Sequence, residues 1–100
     1  MLVIAGSIVI DPTKREAAIV AAKEMMAATR REPGCRGYTF SLDLEDPGRV
    51  HLFEHWDSQS ALDSHFQTAH MTRFNAAVAG LGVREAVIQK FEVSTVGPLR

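Results

Sequence analysis

The stretch FEHWDSQSALDSHFQTAHMTRF, residues 53–74, decides the fold of this chain. It begins as a strand that we expect to end at Trp56, and it continues as a helix that starts within Asp57–Ser58. Asp and Ser favour a helix start because their side-chain oxygens accept hydrogen bonds from unpaired backbone N–H groups. The same stretch contains His65, His70 and the only tryptophan of the chain, so we expect a functional site here.

Length and composition predict one globular domain that spans residues 1–100. The chain is 46% hydrophobic and 23% charged, which is typical of a folded protein. Its net charge is −1 and its lysines and arginines are scattered, whereas a nucleic-acid partner requires concentrated positive charge. Cys35 has no partner for a disulfide, so a reducing, cytoplasmic location is expected.

The first predicted strand, residues 2–10 (LVIAGSIVI), is apolar on both of its alternating faces. It is too short to span a bilayer, so we expect no membrane partner. A strand that is apolar on both faces is usually buried on both faces. The helices of a small domain can cover one of these faces, and the other then requires a second copy of the chain.

A helix and a hairpin follow the first strand. Apolar residues at helical spacing predict a helix over residues 14–31, with a capping box at Thr13–Glu16. Alternation of apolar and polar residues predicts strands at residues 37–44 and 50–56. The sequence Glu45–Gly48 contains Pro followed by Gly, which favours a type II turn between these antiparallel strands.

The second helical region is predicted to extend from residue 58 to Gly80, with a kink or restart over residues 67–72, where weak helix formers cluster. A last strand is predicted within residues 84–96. The order β-α-β-β-α-β predicts a ferredoxin-like α+β fold, with both helices on one face of a four-stranded antiparallel sheet. The uncovered face predicts a homodimer.

The histidines do not have the spacing of a metal site on one helix. His65 and His70 are five residues apart, which on a continuous helix separates them by roughly 140 degrees. His51 and His55, on one face of a strand, would be ~13 Å apart. The chain also has no glycine-rich phosphate loop after a strand, and Cys35 has no evident base beside it. We therefore expect no metal, no cofactor and no thiol nucleophile.

His65 and His70 lie instead among aromatic residues, in a chain that otherwise contains few of them. Imidazole is the side chain that exchanges protons near neutral pH. An apolar pocket with one or two imidazoles suits a flat, weakly acidic organic molecule. The alternative interpretation is a structural role for both histidines.

Residues 32–74 resemble the antibiotic biosynthesis monooxygenase family. The resemblance rests on a set of residues in order, namely Glu32, Gly34, Tyr38, Asp43, Glu54, Trp56, Leu62, His65 and His70. It implies a dimeric α/β barrel, in which two ferredoxin-like subunits pack sheet to sheet. It also implies an oxygenase without flavin or metal, in which a quinol or polycyclic phenol is deprotonated and reacts with oxygen to give a quinone.

On this resemblance, His65 and His70 are candidates for the catalytic base or its hydrogen-bond partner. The candidates for the wall of the substrate pocket are Trp56, Tyr38, Phe40, Phe53, Phe66 and Phe74. Because successive strand residues alternate, Phe53 and Trp56 point to opposite faces of the sheet and cannot share one cavity. Glu54 is expected to pair with an arginine at the dimer interface rather than to act in catalysis.

Two other classes of function stay open. The same pocket would serve a non-redox isomerase or cyclase that uses the same base without oxygen. It would equally serve a non-catalytic dimer that binds a small aromatic molecule. Oxygen consumption separates the oxygenase from the isomerase, and binding without turnover identifies the binding protein.

Overall fold

The computed structural model describes residues 1–100, which fold into one antiparallel sheet and three α-helices. The elements are β1 Leu2–Val9, α1 Arg15–Thr29, β2 Cys35–Leu42, β3 Arg49–Trp56, α2 Gln59–His65, α3 Ala69–Val78 and β4 Glu85–Glu92. The sheet has the strand order β2-β3-β1-β4. This arrangement confirms the predicted ferredoxin-like α+β fold. None of the helices is both long enough and apolar enough to cross a membrane.

The register of the sheet gives it two different faces. On the inner face, Trp56 and Glu54 of β3 pair with Leu2 and Ile4 of β1. The intervening residues form an outer face that no helix of the chain covers, and they include Val3, Ala5, His51, Phe53, His55, Val87 and Phe91. Three of the apolar side chains on this face are about half exposed, namely Phe53 (49%), Val87 (54%) and Phe91 (48%).

The start of α1 differs from the predicted capping box. Asp11 Oδ1 accepts hydrogen bonds from the backbone N–H of Thr13 (2.9 Å) and from its hydroxyl (2.8 Å). A 3₁₀ turn at Pro12–Lys14 follows, and α1 begins at Arg15 without a side-chain cap. The predicted Thr13–Glu16 box is wrong, because the carboxylate of Asp11 has already captured the hydroxyl of Thr13.

The turn of the β2–β3 hairpin is also of another type. A backbone hydrogen bond closes it at Asp46–Arg49, but Gly48 has no positive φ, and a type II turn requires one there. Glycine is needed for a different reason, since a Cβ at this position would lie 2.5 Å from Ile10 O. Asp43 accepts hydrogen bonds from His51 and from two backbone N–H groups of the turn, which lower the pKa of Asp43 to about 2.

The second helical region consists of two helices, which confirms the restart predicted over residues 67–72. Ser58 caps α2 by accepting a hydrogen bond from Ala61 N (3.2 Å). Thr68 caps α3 by accepting one from the backbone N–H of Met71 (3.2 Å). As a result α2 ends at His65, and His70 lies in the first turn of α3.

Two buried clusters hold the helices against the sheet. The larger cluster surrounds Trp56, which is fully buried, and also contains Leu2, Met25, Tyr38 and Leu62. The smaller cluster contains Ile10, Ala18, Val50 and Leu81. The larger cluster joins three strands to α1 and α2, so it fixes the end of the sheet at which His65 lies.

We predict that Gly6→Ala destabilises the fold and that Gly97→Ala does not. A Cβ on Gly6, in the middle of β1, would lie 2.0 Å from Val87 O and 2.7 Å from Ile88 Cα of β4. Because these are backbone atoms, the two strands must move apart, and overpacking of this kind costs about 1–3 kcal/mol. A Cβ at Gly97 meets nothing within 4 Å. Urea unfolding of both variants measures the difference. If Gly6→Ala is as stable as the wild type, the backbone of β4 does not approach Gly6 this closely.

Candidate functional site

One carboxylate oxygen joins the two histidines that the sequence singled out. Glu32 Oε2 accepts a hydrogen bond from His65 Nδ1 (2.7 Å) and another from His70 Nε2 (2.8 Å). We call Glu32, His65 and His70 the Glu32 clamp. The clamp is mostly buried, because the exposed fractions of these three side chains are 11%, 1% and 15%. It connects the loop after α1 to the end of α2 and the start of α3.

The loop between α1 and β2 reaches the clamp through Gly34. This residue has a φ of +83°, and a Cβ on it would lie 2.6 Å from Ala61 Cβ of α2. Only glycine meets both conditions at low cost. Asp57 N also donates a hydrogen bond to Gly34 O (2.8 Å). The loop is therefore fixed against the beginning of α2, and this contact holds Glu32 near His65.

Aromatic rings surround the imidazole of His65. Its ring centroid is 4.9 Å from that of Trp56, 5.5 Å from that of Tyr38 and 5.8 Å from that of Phe66. Burial raises the pKa of Tyr38 well above its usual range, with a further contribution from Glu54. The phenol of Tyr38 therefore stays neutral and does not act as a base near neutral pH.

The indole of Trp56 connects this region to a second buried carboxylate. Trp56 Nε1 donates a hydrogen bond to Glu54 Oε1 (2.8 Å), and Glu54 is only 6% exposed. Burial raises the pKa of Glu54, although the hydrogen bond from Trp56 partly opposes this shift. The expected pairing of Glu54 with an interface arginine is not seen in the chain, where Glu54 lies on the inner face of the sheet because β3 alternates.

An apolar cavity lies between the sheet and helices α2 and α3, and we call it the sheet–helix cavity. Its volume is about 290 Å³. Glu54 and Asn75 are the only polar residues on its wall. The apolar wall consists of Ile4, Ile8, Phe40, Val50, Leu52, Leu62, Phe66, Met71, Phe74, Val78 and Ile88. A largely apolar cavity with a few polar side chains is the usual form of a small-molecule site.

The structure divides the predicted site residues into three groups. Phe40, Phe66 and Phe74 line the sheet–helix cavity, and the rings of Phe40 and Phe74 are stacked with centroids 5.3 Å apart. Trp56 and Tyr38 are buried in the core beside the clamp, and His65 and His70 form the clamp; none of these four lines the cavity. Phe53 points to the outer face of the sheet, as the alternation of β3 requires.

The sequence analysis gave Glu32 no role of its own. It expected Glu54 to pair with an arginine, whereas in the structure Glu54 accepts a hydrogen bond from Trp56 and lines the cavity. Glu32 is 33 residues from His65 in the chain, so no local spacing connects them. On one continuous helix, His65 and His70 would point in different directions. Because the helix restarts at Thr68, the two imidazoles converge instead. The signal that Glu54 is internal was its position two residues before Trp56 on the same strand.

The fold is that of a ferredoxin-like protein, with an apolar cavity between the sheet and the helices. A sequence model of the family described as "Antibiotic biosynthesis monooxygenase" matches residues 1–77. The chain therefore belongs to the antibiotic biosynthesis monooxygenase family, as the set of residues from Glu32 to His70 indicated.

Relatives of known name agree with this assignment. The chain is similar to "Putative monooxygenase Rv0793" of Mycobacterium tuberculosis, with 34% identity over 77% of this chain and 75% of that protein. It is also similar to "Probable quinol monooxygenase YgiN" of Escherichia coli, with 28% identity over 66% of this chain and 71% of that protein. An uncharacterized Synechocystis protein, sll1783, is 32% identical, and the match spans 63% of its length.

Solved structures show the same fold. A "putative antibiotic biosynthesis monooxygenase" from Deinococcus radiodurans superposes with a TM-score of 0.90 and 26% identity, over 100% of this chain and 99% of that one. The structure of Rv0793 superposes with a TM-score of 0.84 and 29% identity, over 97% of each chain. The whole length of this chain is therefore accounted for by the fold of the family.

We predict that Glu54→Gln makes the protein more stable at neutral pH. Glutamine keeps an oxygen that accepts the hydrogen bond from Trp56, and it removes the cost of burying a charge. The pKa of Glu54 is higher in the folded than in the unfolded chain, so the folded protein binds more protons between these two values. The free energy of unfolding of the wild type should therefore fall as pH rises through that interval.

Urea unfolding as a function of pH measures this effect. The difference in stability between Glu54→Gln and the wild type should be small in acid and should grow above the usual pKa of a glutamate. A difference that does not depend on pH would mean that the charge of Glu54 is fully compensated in the folded protein.

Proposed function

We propose that this protein is a cofactor-independent monooxygenase that oxidises a quinol or phenol with O2 in the sheet–helix cavity. The observation that carries the proposal is the cavity itself, which is apolar, bordered by aromatic rings and provided with one buried carboxylate. In such a reaction the substrate supplies the electrons. The protein supplies a proton acceptor, a dry environment and a fixed orientation.

The size and chemistry of the cavity favour a small flat substrate. A volume of about 290 Å³ lies near the lower end of the range for ligand pockets, ~300–1,000 Å³. The stacked rings of Phe40 and Phe74 provide a flat apolar wall. A quinol or a compact phenol therefore suits the cavity better than an extended polycycle or a charged molecule.

Glu54 is the group that we assign as proton acceptor for the substrate hydroxyl. It is the only ionisable residue on the cavity wall, and Trp56 fixes its position through the 2.8 Å hydrogen bond. A carboxylate with a raised pKa is a stronger base than a carboxylate in water, and burial raises the pKa of Glu54. Transfer of the phenolic proton to Glu54 leaves a phenolate, which is much richer in electrons than the neutral phenol.

The oxygen step needs no external reductant. The phenolate gives one electron to O2, and the resulting superoxide and phenoxyl radical combine to form a C–O bond at a ring carbon that carries a hydrogen. The peroxide anion takes the proton back from Glu54 and becomes a hydroperoxide. Loss of the ring C–H proton together with cleavage of the O–O bond then releases water and gives the quinone. The balance is one phenol plus one O2 giving one quinone plus one water, with the ring oxidised and O2 reduced.

His65 and His70, the candidates from sequence, act in this proposal as positioning residues. Neither lines the cavity, but the ring of His65 packs against that of Trp56, which in turn orients Glu54. His70 holds His65 in place through Glu32. The alternative is that one histidine is itself the base and reaches the substrate after a movement of α2 or α3. The experiment below distinguishes these roles.

A homodimer is part of the proposal, with the outer faces of two sheets packed together as a dimeric α/β barrel. Phe53, Val87 and Phe91 expose apolar area on that face, and burial of such area is the main drive for association. A second copy of the chain carries the same outer face of apolar and histidine residues, so two such faces can bury their apolar side chains against each other. A cytoplasmic location is also proposed, since Cys35 is a free thiol.

The test of the reaction is oxygen uptake by the metal-stripped protein with a panel of quinols and phenols. We expect uptake above autoxidation in the wild type and a loss of ~10²-fold or more in Glu54→Gln. The acid limb of the wild-type pH profile should lie above the usual glutamate range, because the pKa of Glu54 is raised. Glu16→Gln, the same chemical change on the exposed side of α1, is the matched control and should leave uptake unchanged.

Variants of the histidines complete this experiment. In the proposed roles, His65→Ala and His70→Ala weaken uptake less than Glu54→Gln does, and the acid limb of the pH profile persists. Full activity of Glu54→Gln together with a ~10²-fold loss in one folded histidine variant would make that histidine the base. No uptake by the wild type, combined with saturable binding of a quinone in the cavity, would favour the isomerase or binding protein instead.

The dimer is tested separately with Phe53→Asp. A charge at the centre of the outer face should be buried unpaired in a sheet-to-sheet dimer and should dissociate it. Leu44→Asp is the control, because Leu44 is fully exposed outside the sheet. Sedimentation of both variants measures the result. If Phe53→Asp has the same oligomeric state as Leu44→Asp, the outer face is not the interface.

A further inference from the structure

We propose that the Glu32 clamp is a binding site for a divalent transition metal, with Zn²⁺ as the representative ion. The donor atoms are Glu32 Oε2, His65 Nδ1 and His70 Nε2, which all lie within 4.8 Å of one another. Two imidazoles and one carboxylate are a common ligand set for zinc and other first-row ions. The clamp does not line the sheet–helix cavity, so binding of an ion there can be measured without oxygenase activity.

The present distances are close to those of a coordinated ion. In a tetrahedral zinc site with bonds of ~2.0–2.1 Å, two ligand atoms are roughly 3.3 Å apart. Here the carboxylate oxygen is 2.7 Å from one imidazole nitrogen and 2.8 Å from the other. Each carboxylate–imidazole pair would have to separate by roughly half an ångström, and the two imidazole nitrogens, which lie within 4.8 Å of one another, would have to take up a separation of about 3.3 Å.

The proton chemistry of the clamp allows a metal ion to replace its two hydrogen bonds. In the hydrogen-bonded state, both imidazoles direct an N–H at the carboxylate. A metal ion needs a lone pair on each of these nitrogens, so each neutral ring must carry its proton on its other nitrogen. Shift of the proton from one nitrogen to the other within a ring frees the lone pair without moving charge. A divalent cation would then bind one carboxylate oxygen and two imidazole lone pairs.

Three different segments supply the ligands. Glu32 lies in the loop after α1, His65 ends α2 and His70 begins α3. The rings of Tyr38 and Trp56 pack against His65 and fix its orientation. His70 and Glu32 each keep some exposure, and both border surface depressions, so an ion has a route from solvent. Remaining coordination positions would be filled by water or by the second oxygen of Glu32.

The chemistry of the donors selects the class of ion. Nitrogen ligands favour Zn²⁺, Co²⁺, Ni²⁺ and Cu²⁺, whereas Mg²⁺ and Ca²⁺ prefer oxygen ligands throughout. An ion bound here would replace two hydrogen bonds with three coordinate bonds across the α2–α3 junction. It would therefore stabilise the folded chain, because the unfolded chain does not hold these ligands together.

The test measures binding of Zn²⁺ and Co²⁺ to the full chain after removal of metal with a chelator. We expect one ion per chain by equilibrium dialysis, a higher thermal unfolding midpoint with Zn²⁺, and visible absorption bands of nitrogen-coordinated Co²⁺. His70→Ala, which removes the most exposed ligand, should lower the affinity by more than the ~10- to 100-fold typical for loss of an outer-shell partner. Mg²⁺ should have none of these effects.

Two further variants separate the metal site from the hydrogen-bonded clamp and from surface binding. Glu32→Gln keeps an oxygen that accepts a hydrogen bond but loses the charge, so it should fold and bind Zn²⁺ weakly. His51→Ala removes a half-exposed histidine that is paired with Asp43, and it should bind Zn²⁺ like the wild type. Wild-type affinity in folded Glu32→Gln and His70→Ala, or no midpoint shift in the wild type, would overturn the proposal.

Discussion

The hydrogen bonds to Glu32 Oε2 are the interaction on which one end of the fold depends. A buried carboxylate needs donors and a buried imidazole needs an acceptor, so each member of the clamp requires the others. One oxygen serves both histidines, and it thereby joins the loop after α1 to α2 and α3 at a single point. Since His65 also packs against Tyr38 and Trp56, the clamp fixes the aromatic core beside the cavity.

The second buried carboxylate is that of Glu54, and it has only one side-chain hydrogen bond. Glu54 has its hydrogen bond from Trp56, but burial still raises its pKa, so its charge is only partly compensated. Such a group lowers the stability of a fold, and shifted carboxylates of this kind are concentrated at functional sites. The chain thus contains one carboxylate that joins the helix junction through two hydrogen bonds and one that faces an apolar cavity.

The sheet keeps these features apart from the exposed apolar side chains of the outer face. Alternation along β3 sends Glu54 and Trp56 to the inner face, and it sends Phe53 and His55 to the outer face. A single residue shift in register would exchange the two sets. Gly6 contributes to this register because the backbone of β4 approaches it too closely for any side chain. The position of the cavity and the character of the outer face therefore follow from one strand pairing.

The sequence by itself determined the ferredoxin-like fold, the restart of the second helical region and the family, because periodicity, caps and the ordered set from Glu32 to His70 are local signals. It also placed Phe40, Phe66 and Phe74 together, and these three line the cavity. Only the tertiary structure decided that Glu32 meets His65 and His70, and that the histidines lie outside the cavity which Glu54 enters. Contacts between residues more than thirty positions apart depend on how the loop, the helix break and the sheet pack, and no spacing in the chain encodes them.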